Sequence, residues 1–233
     1  IQLSAERMEM KLAPKLSAED AEALARGTRT IVNQVAALKN MVDDFRDYAR
    51  LPAPVFAGLE LNALVQEVLA LYETSKTPIA SRLAPGLPQV RADSAQIRQV
   101  LHNLVQNAQD ALENRKHSAE QPMIEICTEA AGGKVRLSVT DNGGGFPEEM
   151  MARIFEPYVT TKSKGTGLGL AVVKKIADEH GARVRIANLG QAGVGAAQAG
   201  PAHGAQVSLS FSKLAPGDGP AAAASPAAAD SAH

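Results

Sequence analysis

The chain has 233 residues, with 24 Lys and Arg against 25 Asp and Glu for a formal net charge of -1, 45% hydrophobic residues and 3% aromatics without Trp. That balance argues against a strongly basic nucleic-acid binder or a polybasic membrane clamp, and no run of 18 or more apolar residues offers a membrane span. A single cysteine, Cys127, excludes an internal disulfide framework and a multi-cysteine zinc site, and fits a reducing compartment. The chain starts at Ile1, without an initiator Met or a leader, and reads as a piece of something longer.

The first stretch is helical. Ile1, Ala5, Met8 and Leu12 step by 4, 3, 4 before Ala13-Pro14 interrupts. Ser17, with an acid at Asp20, is an N-cap signal. Leu24, Thr28, Ile31, Val35, Leu38, Val42, Phe45 and Ala49 then alternate steps of 4 and 3, the seam of a coiled coil or four-helix bundle. Arg29, Lys39, Asp43, Asp44, Arg46 and Asp47 flank it. An antiparallel hairpin with such a seam is expected to dimerise into four helices; the alternative is a hairpin packed on its own domain. Leu51-Pro52-Ala53-Pro54 ends the second helix and marks a boundary.

Beyond it, residues 59–61 read as a short strand and Asn62 as the cap of a helix bearing Leu64, Val65, Val68, Leu69 and Tyr72. Strands are expected at 79–83 and 90–92. A helix from Asp93 or Ser94 carries Ile97, Val100, Leu101, Leu104, Val105, Ala108 and Leu112 on one face. Strands 123–129 and 134–140 flank a Gly132-Gly133 hairpin turn. Residues 142–167 are Gly-rich, with one short helix after Pro147. A helix at 168–180 stops at Gly181, and strands 184–187 and 205–211 close a sheet. Segment 189–204 is expected to be mobile and the Ala/Pro-rich tail disordered. The fold class is α+β: a helical hairpin at 1–51, an α/β sandwich with a mixed sheet and three helices at 52–214, and a tail at 215–233.

Three clusters carry chemistry. Asn103, Asn107 and Asp110 share one face of an otherwise apolar helix, at i, i+4 and i+7; a solvated face would need no ligand. Asp141-Asn142-Gly143-Gly144-Gly145-Phe146 brings a carboxylate to the end of an apolar strand, able to accept from an exocyclic amine, beside glycines that let a flat ring approach; an ordinary Asp-Asn-Gly turn reads the same way. Lys164-Gly165-Thr166-Gly167-Leu168-Gly169-Leu170 opens a helix whose amides could hold phosphate; a flexible loop is the plainer explanation.

In this order the clusters resemble the catalytic and ATP-binding region of sensor histidine kinases, in the superfamily shared with gyrase, heat-shock protein 90 and MutL. The Asn-rich helix matches the N box, Asp141 to Gly145 the G1 box, Phe155-Glu156-Pro157-Tyr158 the F box, and Gly165-Thr166-Gly167-Leu168-Gly169 the G2 box. The resemblance covers roughly residues 1–213, and its wording is most similar to nitrogen-regulation-type kinases. It implies ATP with Mg²⁺ as cofactors. Asn107 would ligate the metal, with Asn103 and Asp110 near metal and phosphates. Asp141 would accept from the adenine amine. Gly143 and Gly145 would hinge a lid. Ile154 and Phe155 would wall the base or anchor the lid. Lys162, Gly165, Thr166, Gly167, Leu168 and Gly169 would meet the phosphates. Hydrolysing relatives carry a Glu at the position of Asn103; an amide is a poor base, so the γ-phosphoryl is expected to pass to an imidazole rather than to water.

The resemblance also implies a phosphoacceptor histidine on the first hairpin helix. None of His102, His117, His180, His203 and His233 matches it, and His180 reads as a cap beside Gly181. Ile1-Gln2-Leu3 is similar to the sequence just after that histidine, so the acceptor is expected upstream and this chain is expected not to phosphorylate itself. Gly204-Ala205 stands where many relatives have Gly-Thr, so one hydroxyl of the adenine network is missing. Expected partners are a second copy, through the hairpin, and a response-regulator receiver domain. No nucleic acid is expected, and a membrane only through parts of a full-length protein outside this cytoplasmic segment. The competing functions are a clamp-type ATPase and a non-catalytic dimerising scaffold.

Overall fold

A computed structural model describes residues 1–75, 77–113, 121–162, 165–190 and 204–215. They divide into two units, Ile1–Ala53 with Phe146–Ile176, and Pro54–Gly145 with the residues from Ala177 onward.

In the first unit, helix α1 (Gln2–Leu12) leads through a 3-10 turn at Ala13–Lys15 into the long helix α2 (Ala18–Ala49). The break follows from Pro14, which sits in the first turn of the 3-10 segment. Ser17 starts α2 as expected: its hydroxyl oxygen accepts the Asp20 N–H at 3.2 Å and donates to the Asp20 carboxylate at 2.6 Å. The two helices pack on each other, burying Ala5 and Thr28. Little else of the seam is covered. Ile31, Leu38, Val42 and Phe45 are 47%, 59%, 64% and 51% exposed. The same unit holds a short helix α5 (Glu148–Met151) and the first residues of helix α6 (Gly169–Glu179). Lys175 of α6 donates to the Tyr48 carbonyl in the last turn of α2 at 3.0 Å and stands 5.3 Å from the centre of the Tyr48 ring. A cation at a helix C-terminus and over an aromatic face is favourable on both counts.

The second unit is built on a mixed five-stranded sheet. Its strands are β2 (Ile79–Leu83), β4 (Ile124–Ala131), β5 (Lys134–Asp141), β7 (Ala205–Phe211) and β6 (Arg183–Asn188), in the order β2-β4-β5-β7-β6. Only β2 and β4 run parallel. Inward residues alternate along β5 and β7, with Val135, Leu137, Val139, Val207, Leu209 and Phe211 buried. Helices α3 (Leu61–Ala70) and α4 (Ser94–Glu113) pack together, and α4 lies on β4 and β5. Strand β1 (Ala57–Leu59) pairs antiparallel with β3 (Val90–Ala92). The chain returns past β7 to the other edge of β3, where Arg91 N–H donates to the Lys213 carbonyl and Ala215 N–H to the Gln89 carbonyl, each at 2.9 Å.

The architecture is the expected α+β arrangement. Three local expectations are corrected. The strand expected at 59–61 lies at 57–59, and Leu61 already belongs to α3. Asn62 is not the cap, since Glu60 holds that position. Asn62 instead donates to the Ala84 carbonyl at 2.8 Å and accepts from the Thr128 hydroxyl at 2.7 Å, tying α3 to the end of β2 and to β4. Ala215, the first residue of the expected tail, is bonded to Gln89. The mobility expected within 191–203, the disorder expected over 216–233, and the positions of Lys164, His117, His203 and His233 lie outside the described residues.

Candidate functional site

Asp93 starts α4. One carboxylate oxygen accepts the N–H groups of Ala95 and Gln96 at 2.9 and 3.1 Å, satisfying two of the donors that a helix start leaves open. The other accepts from Val55 N–H at 2.7 Å. Burial works to raise this carboxyl, but the amides of Val55, Gln96 and Ala95 and the nearby His180 outweigh it and hold it below the usual carboxylate range. Asn103, Asn107 and Asp110, on the face opposite the buried Leu101, Val105 and Leu112, are all half-buried. Gln106 donates to Asp110 at 2.8 Å.

Asp141 is the last residue of β5 and only 8% exposed, opposite Ile124 on one side and Ala205 on the other. The position across the strand thus carries a methyl group and no hydroxyl. Asp141 accepts the Gly143 N–H at 2.9 Å. Gly143 cannot be replaced without displacement: a Cβ there would lie 2.8 Å from the Asp141 carboxylate and 3.0 Å from the Ala111 methyl. Ala111 is one helical turn beyond Asn107, so this approach sets the Asp141 turn against the end of α4 that carries Asn107 and Asp110. The sequence reading missed Asn142. Its amide donates to the Gln121 carbonyl and accepts from Met123 N–H, both at 2.8 Å, pinning the turn to the chain entering β4. The only signal for it is the side-chain bonding common to Asn in turns.

Gly145, with φ +70°, ends this stretch of the second unit, and the remaining predicted positions lie in the first unit. Ile154 is buried and Phe155 half-buried. Tyr158 N–H donates to the Gly167 carbonyl at 3.1 Å, closing a ten-residue loop. At that neck a Cβ on Gly167, whose φ is +71°, would sit 2.6 Å from the Tyr158 carbonyl carbon. Tyr158 itself has φ +67°, a strained setting for an aromatic residue. Inside the loop, Lys162 N–H donates to the Thr160 hydroxyl at 3.0 Å, and Gly165 N–H donates to the Lys162 carbonyl at 3.2 Å. Leu168 is buried just ahead of α6. Gly169 opens that helix, whose first amides have no acceptor within it, as at any helix start.

Neither described histidine is displayed as a nucleophile. His102 bonds through Nδ1 with the Tyr72 hydroxyl at 3.0 Å, and burial together with Arg98 holds it below the usual histidine range. His180 is 2% exposed and accepts the Asp93 N–H on Nε2 at 3.0 Å. Among the described residues no cluster of three or more His, Cys, Asp or Glu could hold a metal ion. The hard oxygens of Asn103, Asn107 and Asp110 suit Mg²⁺ in one way only, as a cation that draws its other ligands from phosphate and water. No helix among the described residues is long and apolar enough to cross a membrane.

The model of the histidine kinase-, DNA gyrase B-, and HSP90-like ATPase family matches residues 92–215. The catalytic domain of histidine kinase ThkA superposes with a TM-score of 0.54 and 33% identity, over 67% of this chain and 95% of that domain. The chain belongs to this ATPase family, among the histidine kinase catalytic domains. Nitrogen regulation protein NtrY of Azorhizobium caulinodans is 35% identical over 189 residues, 80% of this chain but 24% of that protein. A structure of ThkA in complex with the response regulator protein TrrA matches with a TM-score of 0.63 and 27% identity, over 89% of this chain and 56% of that one. The chain spans about a quarter of the length of NtrY.

Proposed function

We propose that this chain is the catalytic core of a two-component sensor histidine kinase, which binds Mg-ATP and transfers the γ-phosphoryl to a histidine for relay to a response-regulator aspartate. The observation that carries the proposal is the seating of Gly143 on Ala111, which joins the carboxylate of Asp141 to the helix bearing Asn103 and Asn107. Asp141 accepts the adenine amine. Asn107, with Asn103 and Asp110 beside it, offers oxygen to Mg²⁺, whose chemistry is to neutralise phosphate charge. The amides from Gly165 to Gly169 and the Lys162 ammonium hold the phosphates, while Ile154 and Phe155 anchor the lid. Because Asn103 cannot serve as a base, water attack is slow and positioning favours an imidazole acceptor.

The functional division we propose is 1–51 for dimerisation and phosphotransfer, 52–214 for ATP binding, and 215–233 as a tail. The exposed seam of α2 supports homodimerisation. The relation to ThkA supports a receiver domain as partner, the near-neutral charge speaks against a nucleic-acid partner, and the segment is proposed to be cytoplasmic. Both described histidines, His102 and His180, are engaged in hydrogen bonds, and no histidine of the chain matches the family's phosphoacceptor motif, so the acceptor in this reading is a histidine of the hairpin type outside this chain. The test is γ-labelled ATP, given to this chain alone and with an added histidine-bearing hairpin. Acid-labile, base-stable label on the added hairpin supports the reading. Fast release of inorganic phosphate with no label on either protein favours the clamp ATPase instead.

A further inference from the structure

His180 meets Asp93 and Phe56, neither of them assigned to nucleotide. His180 follows directly on α6, and its Nε2 accepts the Asp93 N–H at 3.0 Å. The Phe56 ring meets the imidazole edge-on at 5.1 Å between centres. Asp93 in turn caps α4 through one oxygen and holds Val55 N–H through the other. The Val55 side chain is 77% exposed. Apolar burial therefore does not fix Val55 itself; its N–H bond to Asp93 holds it, beside the Phe56 ring on His180. Three parts of the chain end in one set of hydrogen bonds: the segment 54–56 that follows the hairpin, the start of the helix bearing Asn103 and Asn107, and the end of the helix that begins at Gly169. Because Nε2 accepts from a backbone donor, the ring proton lies on Nδ1.

We infer that His180 is a positioning residue that, through Asp93, couples nucleotide occupancy to the segment 54–56, a reading that rests on the proposed ATP site. Helix α4 is a rigid body of 20 residues, about 30 Å long. A ligand that draws Asn103 and Asn107 toward it moves the start of the same helix, where Asp93 holds Val55. The segment has two states, bonded to Asp93 or released, and a ligand that favours one α4 position biases that choice. His180 keeps the Asp93 backbone in place while this happens. Its contribution is an acceptor atom and not volume alone, so Gln, whose side-chain oxygen reaches the same place, should replace it and Leu should not.

Hydrogen exchange of peptides spanning residues 51–58, with and without ATP and Mg²⁺, tests this, with nucleotide affinity measured by calorimetry in parallel. In the unmodified chain and in His180→Gln, nucleotide should slow exchange at Val55 about fivefold or more, the low end of measured couplings. In His180→Leu the slowing should vanish while nucleotide still binds. Should His180→Leu fail to fold, Asp93→Ser keeps one oxygen to cap α4 but leaves none for Val55, and should give the same loss. Slowing that persists in the variant that folds overturns the inference, as does nucleotide binding to the unmodified chain with no slowing at Val55. A chain that binds no nucleotide overturns the ATP reading itself and this inference with it.

Discussion

Helices α2 and α4 carry apolar stripes of almost the same spacing, and they cover them differently. On α4, Ile97, Val100, Leu101 and Val105 have no exposed surface within the second unit. On α2, Leu38, Val42 and Phe45 are each more than half exposed. A stripe that is covered stabilises its own unit by the usual hydrophobic term. A stripe left open on a 32-residue helix is the basis for the homodimer we propose, since its 4-3 spacing fits a second helix pair better than a sheet. On the proposed reading, one helix contributes folding energy and the other association energy.

Truncation should separate the two most strongly. Leu101→Ala in α4 should cost about 2–5 kcal/mol of stability through lost transfer energy and an unfilled cavity, read as a fall in the urea midpoint. Leu38→Ala with Val42→Ala in α2 should leave the midpoint of the second unit within about 0.5 kcal/mol. Those changes should instead shift the chain from dimer toward monomer in sedimentation; equal loss of stability from Leu101→Ala and from the α2 double variant would erase the contrast. A smaller effect is expected at the start of α4. Asp93→Ala should cost about 1 kcal/mol, typical of a lost cap. The Asp93 carboxyl is held below its usual range, so its contribution is complete above the unfolded carboxylate value, near pH 4. That contribution is lost as pH falls through the lower folded value. A pH-stability curve for Asp93→Ala that parallels the unmodified chain through that window would contradict this. The smallest effect is at the junction of α2 with α6: Lys175→Met removes one hydrogen bond and one cation–ring contact and should cost about 1 kcal/mol or less, seen as faster exchange in the last turn of α2.

Much of this fold was legible because its elements announce themselves locally. The Ser17 cap, the Pro14 break, the Gly132-Gly133 turn and the stripe from Ile97 to Leu112 all follow from neighbours in sequence. Asn62 was misread because its partners, Ala84 and Thr128, lie far along the chain; a polar residue near a helix start looks like a cap whether or not its side chain is used elsewhere. Asn142 was passed over beside the more conspicuous Asp141 and the glycines for the same reason. His180 reads in sequence as a cap beside Gly181, yet its bond is to Asp93, 87 positions earlier. The glycines of the site were legible as a run. Which of them is required sterically, Gly143 by Ala111 and Gly167 by Tyr158, depends on distances that only the folded chain sets.

The central claim, that Asp141 and the asparagine face of α4 form a nucleotide site, is tested most directly by calorimetric titration of ADP with and without Mg²⁺. The unmodified chain should bind one nucleotide, more tightly with Mg²⁺. Asp141→Ala should weaken binding by about 1–3 kcal/mol, roughly fivefold to a hundredfold or more, because the adenine amine loses a buried acceptor. Asn107→Ala should remove the Mg²⁺ dependence while leaving metal-free binding nearly intact. An Asp141→Ala chain that stays folded and binds ADP as tightly as before would contradict the assignment.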